Sequence, residues 1–379
     1  MTRVHLVRRT ALGAFVALIL AQIATSSAFA ATDFPAGYRA YHTYAEMVAD
    51  LNAVVAAHPT IVRKFSIGKS YQGRELLAAK ISDNVATDEN EPEIMFDSLA
   101  HAREHLTVEM NLYLLHLLTD NYGSNTRITR LVNTREIYLV FMVNPDGGEY
   151  DISNGVLHSW RKNRQPIPGT TRIGVDINRN FGYQWGCCNG SSGDPSKENY
   201  RGPSAWYAPE TVAYRDFVRS RVIAGQQQLR MIISWHSSGK LILWPYGYTT
   251  ADVPSTMTSD DHAVFVAIGK KAASLNGYTA EQGSDLYISD GTQGDWAYHE
   301  QKIFQLTFEL GPGGAPNFYP AGDRIGRLTT INRSAVLYLL DQADCPYRAA
   351  GLASKYCGAT TTIVALQTSI PARLGPRLA

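Results

Sequence analysis

Met231-Ile232-Ile233-Ser234-Trp235 is a short, almost wholly apolar run that leads directly into His236. A run of this length and composition, without polar alternation, is typical of a strand that is buried on both faces. Three further runs share this character: Glu93-Ile94-Met95-Phe96, Ile137-Tyr138-Leu139-Val140-Phe141 and Phe304-Gln305-Leu306-Thr307-Phe308. Strands of this kind require helices above and below the sheet.

Stretches with helical periodicity alternate with these runs. They cover residues 45–57, 106–118, 209–220, 262–275 and 331–342. Alternating strands and helices predict an α/β fold: a single domain with a mixed, mostly parallel twisted sheet and helices on both faces. In such sheets, functional side chains collect at the carboxyl ends of the strands.

The two ends of the chain differ from the middle. Arg3, Arg8 and Arg9 precede an apolar stretch that ends near the small residues Ala28 and Ala30, the layout of a secretory signal peptide. A membrane anchor is the alternative, but the apolar stretch is short for a spanning helix, which needs about 20 residues. We therefore predict a signal peptide over 1–30, a catalytic domain over 31–350 and a tail over 351–379, in a secreted, extracellular protein.

Composition excludes several classes of function. The formal net charge is +1 and charged residues make up 18% of the chain, so no basic excess indicates nucleic acid or a membrane surface as a partner. We expect a monomer. Of the four cysteines, Cys345 and Cys357 close a short loop and are the preferred disulfide. Cys187 and Cys188 would then be free thiols or a vicinal disulfide.

Chemically active residues follow three of the predicted strands. His101 and Glu104 lie three residues apart after the first strand, His236 follows the third, and Glu309 ends the fourth. A catalytic zinc ion takes three protein ligands from histidine and carboxylate, together with a water molecule. His101, Glu104 and His236 are therefore predicted to bind one Zn²⁺, and Glu309 is the natural base for the bound water.

The same segment permits another interpretation. His101, Glu104 and His105 also fit the H-x-x-E-H pattern, in which both histidines bind zinc from one helix and the glutamate is the base. That arrangement needs all five residues on a helix, whereas His101 follows directly on a strand-like run. The five residues alone leave both interpretations open.

The rest of the chain carries a resemblance to a known family, from about Asp33 to Cys357. The chain resembles the zinc metallocarboxypeptidases of the carboxypeptidase A and B type, and is especially similar to the bacterial secreted branch known as carboxypeptidase T. The resemblance rests on these motifs: His101-Ala102-Arg103-Glu104, Asn144-Pro145-Asp146-Gly147, Trp160-Arg161-Lys162-Asn163-Arg164, Asp176-Ile177-Asn178-Arg179-Asn180, Trp244-Pro245-Tyr246-Gly247-Tyr248, Gly294-Asp295-Trp296-Ala297-Tyr298 and Thr307-Phe308-Glu309.

This resemblance implies that the protein cleaves peptide and protein C-termini. The zinc ligands would be His101, Glu104 and His236, the set found in carboxypeptidase A. Glu309 would be the general base and then the proton donor to the leaving amine. Arg161 would stabilise the oxyanion.

The resemblance also implies a binding site for the substrate's end. Asn178 and Arg179 would hold the terminal carboxylate, because the planar guanidinium of arginine matches a carboxylate. Tyr287 would close over the substrate, and Arg103 would assist further out in the cleft. His105 would then be a neighbour of the metal site and not a ligand.

Residues near the predicted pocket for the terminal side chain suggest its preference. In the family, an acidic residue just before Asp295 selects Lys and Arg, but this chain has Gly294 there. Asp285 lies on the same loop as Tyr287 and could attract basic side chains from the wall. We therefore expect a broad preference for hydrophobic terminal residues, with tolerance of basic ones.

An acidic run, Asp88-Glu89-Asn90-Glu91-Pro92-Glu93, precedes the first of these strands. It fits a solvated turn, but clustered carboxylates are also what Ca²⁺ requires. The bacterial branch that the chain resembles is stabilised by calcium. The expected ligands of a structural calcium ion are Asp88, Glu89, Glu91 and Glu93, completed by Glu136.

Two other functions remain as alternatives. An amidase that trims cell-wall peptides would need different carboxylate clamps, and Asn178 with Arg179 favours an ordinary C-terminus instead. A non-catalytic peptide-binding domain would have lost Glu309 or a zinc ligand, and all of these residues are present.

Overall fold

The computed structural model describes residues 33–312 and 317–358. Within this part, the strands are β1 Val62–Lys69, β2 Glu75–Ile81, β3 Glu93–Asp97, β4 Glu136–Val140, β5 Val222–Ile223, β6 Gln226–Gln227, β7 Leu229–Ser237, β8 Leu241–Trp244, β9 Thr279–Gln282 and β10 Phe304–Leu310. The α-helices are α1 Tyr44–Ala57, α2 Leu106–Thr119, α3 Thr126–Val132, α4 Pro145–Asp151, α5 Pro209–Ser220, α6 Ser259–Asn276, α7 Gly283–Leu286, α8 Gln293–Gln301, α9 Ile325–Thr330, α10 Arg333–Gln342 and α11 Ala353–Tyr356. Short 3₁₀ turns cover Ile177–Arg179, Gly322–Arg324 and Pro346–Ala350.

Eight of the strands form one sheet in the order β1-β2-β4-β3-β7-β10-β8-β9. The central strands β4, β3, β7 and β10 run parallel. Strand β2 is antiparallel to both β1 and β4, and β8 is antiparallel to β10. The predicted α/β fold with a mixed, mostly parallel sheet is confirmed.

The two faces of the sheet carry separate hydrophobic cores. On β3, Ile94 and Phe96 belong to one core and Met95 to the other, as the alternation of side chains along a strand requires. Helices α2, α6 and α10 contribute to the first core, and α5 and α8 contribute to the second. Both faces are therefore covered, which explains why the central strands are almost continuously apolar.

Trp235 connects the sheet to helix α2. Its ring is fully buried, and its indole N–H donates to Asn111 Oδ1 at 2.9 Å. Removing a buried tryptophan side chain typically costs about 3–5 kcal/mol. This contact fixes the end of β7, and thereby the position of His236.

Helix ends follow local sequence signals. Thr43 accepts from the backbone N–H of Glu46, while the Glu46 carboxylate accepts from that of Thr43, so α1 begins with a capping box. Helix α6 begins after Thr258, which accepts from the Asp261 N–H, and ends at Gly277 with φ of 74°. A left-handed residue at a helix end favours glycine because it has no Cβ.

The predicted signal peptide over 1–30 lies outside the described residues, as does the predicted tail beyond residue 358. The segment just past the predicted boundary at 350 packs on the domain: Tyr356 stacks on Tyr347 with 3.9 Å between ring centroids, and Cys357 is bonded to Cys345. The domain therefore extends to at least Cys357.

Cys187 and Cys188 form the vicinal disulfide, one of the two states left open for them. Among the described helices, none has the length and apolar character needed to cross a bilayer.

Candidate active site

Neighbouring strand ends bring the predicted site residues together. His101 follows β3, and His236 and Glu309 are the second-last residues of strands β7 and β10. Strands β7 and β10 are parallel, and their register places Glu309 directly beside His236. The site therefore forms at the carboxyl edge of the sheet, as expected for this fold class.

The segment from His101 to His105 is a turn and not a helix. The Glu104 N–H donates to the His101 carbonyl at 3.1 Å, the Ala102 N–H donates to the Arg161 carbonyl, and helix α2 begins only after His105. His105 points elsewhere, with its Nε2 3.0 Å from Asp151 Oδ2. The alternative H-x-x-E-H site on one helix is therefore wrong for this chain.

Three side chains converge on one point. His101 Nδ1 lies 2.8 Å from Glu104 Oε1, and His236 Nδ1 lies 3.0 Å from Glu104 Oε2. The two Nδ1 atoms are 3.1 Å apart, and all three residues are buried. Tetrahedral zinc with bonds of about 2.0–2.1 Å places its ligand atoms about 3.3 Å apart. Two ring nitrogens and a carboxylate at this spacing fit a Zn²⁺ ion.

The charge of Glu104 suits a metal ligand. Burial opposes ionisation of this carboxyl, but His101 and His236 hold its pKa well below its usual range. An ionised, buried carboxylate between two imidazoles is the donor set that a divalent cation stabilises. In the described residues, the His236 Nε2 atom has no hydrogen-bond partner, so this ring is held by its Nδ1 side alone.

Asp176 supports the site from behind and was not among the predicted residues. Its Oδ1 lies 3.3 Å from His101 Nε2, although the two are not aligned for a hydrogen bond, and its Oδ2 accepts from Arg161 Nε at 2.9 Å. Burial opposes its charge, but Arg161 and His101 hold the pKa of Asp176 well below its usual range. A carboxylate behind a metal-binding histidine orients the ring and raises its basicity. Its place in the motif that also contains Asn178 and Arg179 was the available sequence signal.

Glu309 and Arg161 both face this centre, but their surroundings act differently on their charges. Burial, with a contribution from Glu104, raises the pKa of Glu309 to about 7, although His236 and Arg161 act in the opposite direction. A carboxyl with a pKa near neutrality can both accept and return a proton. Burial disfavours the charge of Arg161, but Asp176 and Glu104 raise its pKa above its ordinary value. Arg161 is therefore a fixed cation beside the three converging side chains.

A pocket extends from the point where the three predicted zinc ligands converge. Its wall includes His101, His236, Glu309, Asn178 and Arg179. The Arg179 guanidinium is held by two backbone carbonyls, from Nε to Gly190 at 3.2 Å and from Nη1 to Asn178 at 2.7 Å. The Asn178 Oδ1 accepts from the Gln293 backbone N–H at 2.9 Å. This bond turns the Asn178 amide nitrogen away from Gln293. The side chains of Asn178 and Arg179 therefore both have defined orientations.

Tyr287 stands at the rim of the same pocket. Its side chain is 52% exposed, and the Arg179 guanidinium carbon lies 5.9 Å from its ring centroid. Tyr287 is therefore an aromatic ring that is half-exposed beside Arg179.

Gly294 alone does not determine the inner end of the pocket, contrary to the expectation from the sequence. A Cβ atom at Gly294 would lie 2.4 Å from Gln305 Oε1, so the Gln305 amide fills the space that glycine leaves. Gln305 Nε2 donates to Thr307 Oγ1 at 3.0 Å, and both residues line the pocket. Sequence reasoning missed Gln305 because its contact with Gly294 arises from the packing of α8 on β10.

Besides Glu309, the pocket wall holds the carboxylate of Asp295 and not that of Asp285. Asp285 is exposed and accepts from the Gln282 N–H at the start of α7, outside the pocket wall. Asp295 lines the pocket, and burial raises its pKa to about 7, although the backbone N–H groups of Gly247 and Tyr248 act in the opposite direction.

Arg103 lies further out, as expected, but its charge is already paired. Its guanidinium forms two hydrogen bonds to the Glu198 carboxylate, at 2.9 and 3.0 Å, and lies 4.1 Å from the Phe318 ring centroid. Arg103 does not line the pocket that contains Arg179.

The predicted calcium ligands divide into two groups. Asp88, Glu93 and Glu136 surround cations of the chain itself: Arg221 contacts Asp88 at 2.7 Å and Glu93 at 2.5 Å, and Lys80 contacts Glu136 at 2.6 Å. These three carboxylates therefore already share two cations of the chain, and the predicted set of five divides between two separate groups.

Glu89 and Glu91 belong to the second group, together with Asp83, which was not predicted. Their oxygen atoms can approach within 4.8 Å of one another. Burial, Glu89 and Asp83 raise the pKa of Glu91 to about 7. In the described part of the chain, no lysine or arginine forms a salt bridge to this group.

Comparison with known proteins places this geometry in a family. The family described as zinc carboxypeptidase matches residues 47–335. The chain is 48% identical over 320 residues to a zinc carboxypeptidase of Saccharothrix mutabilis subsp. capreolus, covering 84% of this chain and 73% of that protein. It is 32% identical to carboxypeptidase A1 of Bos taurus, covering 74% of this chain and 65% of that protein.

A solved structure agrees. Carboxypeptidase A from Helicoverpa armigera superimposes with a TM-score of 0.70 at 25% identity, covering 83% of this chain and 75% of that one. The matched span contains every residue that lines the pocket with Arg179. The chain therefore belongs to the zinc carboxypeptidase family and is a metallocarboxypeptidase.

Proposed function

We propose that this metallocarboxypeptidase is secreted and removes single residues from the C-termini of peptides and proteins. One observation carries the proposal: Arg179, fixed by backbone carbonyls, lies in the same pocket as His101, His236 and Glu309. The carboxylate at the end of a peptide chain is a planar partner for such an arginine, so the pocket suits an exopeptidase.

We assign Zn²⁺ to His101, Glu104 and His236. When bound there, zinc lowers the pKa of a water molecule towards 7 and polarises a carbonyl group. Asp176 places a negative charge 3.3 Å from the Nε2 atom of His101, which favours the His101 ring as a ligand.

The remaining steps belong to side chains of this chain. Arg179 and Asn178 hold the substrate's terminal carboxylate, and Tyr287 covers it. Glu309 accepts a proton from the attacking water and returns it to the nitrogen of the leaving amino acid. Arg161 stabilises the negative charge that develops on the carbonyl oxygen, a role in which one donor contributes about 3–4 kcal/mol.

The test is Glu309→Gln with its zinc content measured. Loss of a general base lowers kcat by about 100-fold or more. We expect that loss with one zinc ion per chain retained and an unchanged melting temperature. Glu281→Gln, on β9 and outside the pocket wall, is the matched control. Full activity of Glu309→Gln would refute the assignment.

For specificity, we propose that hydrophobic terminal residues are preferred and basic ones tolerated. Leu243 and Trp244 supply apolar wall, while the Gln305 amide and the Asp295 carboxylate supply polar groups. Comparing kcat/KM for peptides that end in Leu, Phe, Arg and Glu tests this, and a strict preference for Arg or for Glu would contradict it.

Secretion is supported by the N-terminal sequence and by the two disulfides, which persist in oxidising compartments. Expression of the full chain in a secreting host, followed by N-terminal sequencing of protein from the medium, tests it. Protein that stays in the cells with residues 1–30 attached would contradict it.

Structural calcium also remains a proposal, now restricted to Asp83, Glu89 and Glu91. Three carboxylates without a cationic partner are the hard oxygen ligands that Ca²⁺ prefers.

A further inference from the structure

A second groove, with a volume of about 330 Å³, adjoins the active site. Arg161 forms part of its wall, next to the converging zinc-site residues. The wall also includes Ser159 and Glu198, and Arg103 donates to both of them, at 3.2 and 2.9 Å. The groove is therefore lined by Arg161 and by two residues that contact Arg103.

The position of this groove decides which part of a substrate reaches it. The pocket with Arg179 holds the terminal residue, and it shares no wall residue with the groove. An enzyme that removes one residue binds nothing beyond that residue on the C-terminal side. Any chain that lies in the groove therefore belongs to the N-terminal side of the scissile bond.

The charge of the groove is strongly positive. Lys162, Arg164 and Arg172 line it, and within the described residues none of the three forms a salt bridge. Glu198 is the acidic residue of the wall, and its carboxylate is already paired with Arg103. Three cations without a salt bridge thus line a cavity whose acidic residue, Glu198, is paired with Arg103.

Two of these cations are held in place. Lys162 is buried, and its Nζ donates to the Pro195 carbonyl at 2.9 Å. The Arg164 guanidinium carbon lies 3.5 Å from the Tyr150 ring centroid and 4.8 Å from that of Trp160. Burial lowers the pKa of both cations, so a bound anion would relieve an electrostatic cost. A stacked guanidinium loses little further freedom when it binds.

From this geometry we infer that the groove binds an acidic side chain, aspartate or glutamate, of the substrate on the N-terminal side of the scissile bond. The inference rests on the proposed exopeptidase function for its direction along the substrate. Arg164 and Arg172 supply the charge at the groove surface, and Lys162 supplies it from below.

The experiment uses peptides with one C-terminal residue, phenylalanine, and with glutamate or glutamine at each of the second to fifth positions from that end. The measured quantity is the ratio of kcat/KM for the glutamate peptide to that for the glutamine peptide. Partly exposed ion pairs contribute about 0.2–1 kcal/mol, so we expect a ratio of about two to five at one or two positions. Arg164→Gln and Arg172→Gln should each lower the ratio towards one, and Arg164→Lys should retain part of it.

Arg230→Gln is the matched control, because Arg230 is an exposed arginine near the start of β7 and does not line the groove. It should leave the ratio unchanged. Raising the ionic strength should lower the ratio of the unaltered enzyme, since exposed charges are screened. A ratio of one at every position, or a ratio that survives both glutamine substitutions, would overturn the inference.

Binding of the same peptides to zinc-loaded Glu309→Gln, measured by calorimetry, separates this inference from the proposed function. A glutamate preference in binding that depends on Arg164 supports the groove even if no peptide is hydrolysed. Hydrolysis of every peptide without such a preference supports the exopeptidase and rejects the groove.

Discussion

Gln305 gives the most direct test of what determines the preference for the terminal side chain. Gln305→Glu keeps the size and shape of the side chain and replaces a neutral amide by a carboxylate at the inner end of the pocket. The Gln305 Oε1 lies 2.4 Å from where a Cβ of residue 294 would stand, so the new charge occupies the space above Gly294. We expect the substitution to favour substrates that end in arginine or lysine.

The size of this change in substrate preference follows from the surroundings of Gln305. A hydrogen bond to a charged group contributes about 1.5–3 kcal/mol, which corresponds to roughly 10- to 150-fold in relative kcat/KM. Gln305 is only 2% exposed, and the Asp295 carboxylate lines the same pocket. Burial and a neighbouring carboxylate both disfavour a new negative charge. We therefore expect the lower end of this range, about tenfold at pH 8 and less at pH 6.

The assay compares matched peptides that end in Arg and in Leu, with the ratio of their kcat/KM values as the readout. Gln228→Glu, which adds the same charge at a partly exposed position between β6 and β7, is the control. Zinc content and melting temperature are measured for both variants. An Arg to Leu ratio unchanged at pH 8, in a folded and zinc-loaded Gln305→Glu enzyme, would show that this residue does not set the preference.

Three further predictions concern the metal sites and the stability of the domain. Asp176→Asn should weaken zinc affinity about 10- to 100-fold, measured by competition with a chromogenic chelator, because the variant loses the carboxylate behind His101; an unchanged affinity would contradict its supporting role. The hydrogen bond that His42 Nδ1 donates to Glu109 Oε2 at 2.9 Å raises the pKa of His42, so this pair stabilises the fold below about pH 6.5 and loses its effect as the pH rises through the raised pKa. The difference in Tm between the unaltered protein and His42→Gln should accordingly be larger at pH 6 than at pH 9, and a difference that grows with pH would refute the pairing. Removing calcium with a chelator that spares zinc should lower Tm in the unaltered protein but not in Glu91→Gln, and an unchanged Tm in both would end the calcium proposal.

The buried strands and most helices could be predicted from the sequence because burial on both faces leaves a plain apolar signature. Predicted residues 209–220 match α5 fully, and 106–118 match α2 within one residue. The outer strands β1 and β2 were missed, since charged residues such as Lys64 and Lys80 interrupt them. The predicted helix 331–342 corresponds to α10, which begins two residues later at Arg333, whereas the preceding short helix α9 was not predicted.

Site residues next to buried strands could be predicted, whereas partners that are distant in the sequence could not. The spacing of His101 and Glu104 indicates one turn, and the strand ends indicate where His236 and Glu309 lie. Asp176 is a different case, because its contact with His101 joins residues 75 positions apart through the 3₁₀ turn at Ile177–Arg179. The five predicted calcium ligands failed as a set for the same reason: Arg221, from the end of α5, forms ion pairs with three of them, Asp88, Glu93 and Glu136.

The proposed carboxylate-binding residues, Asn178 and Arg179, and the positive groove together impose a condition on the substrate. In the proposed function, Arg179 fixes the position of the C-terminal carboxylate, so every upstream residue would have a defined distance from the groove. An acidic residue bound in the groove must therefore act at one or two positions counted from the C-terminus. General electrostatic attraction would instead favour acidic residues at all positions and would respond alike to loss of any exposed arginine. Position dependence combined with sensitivity to Arg164, but not to Arg230, thus distinguishes a binding subsite from the overall charge of the protein.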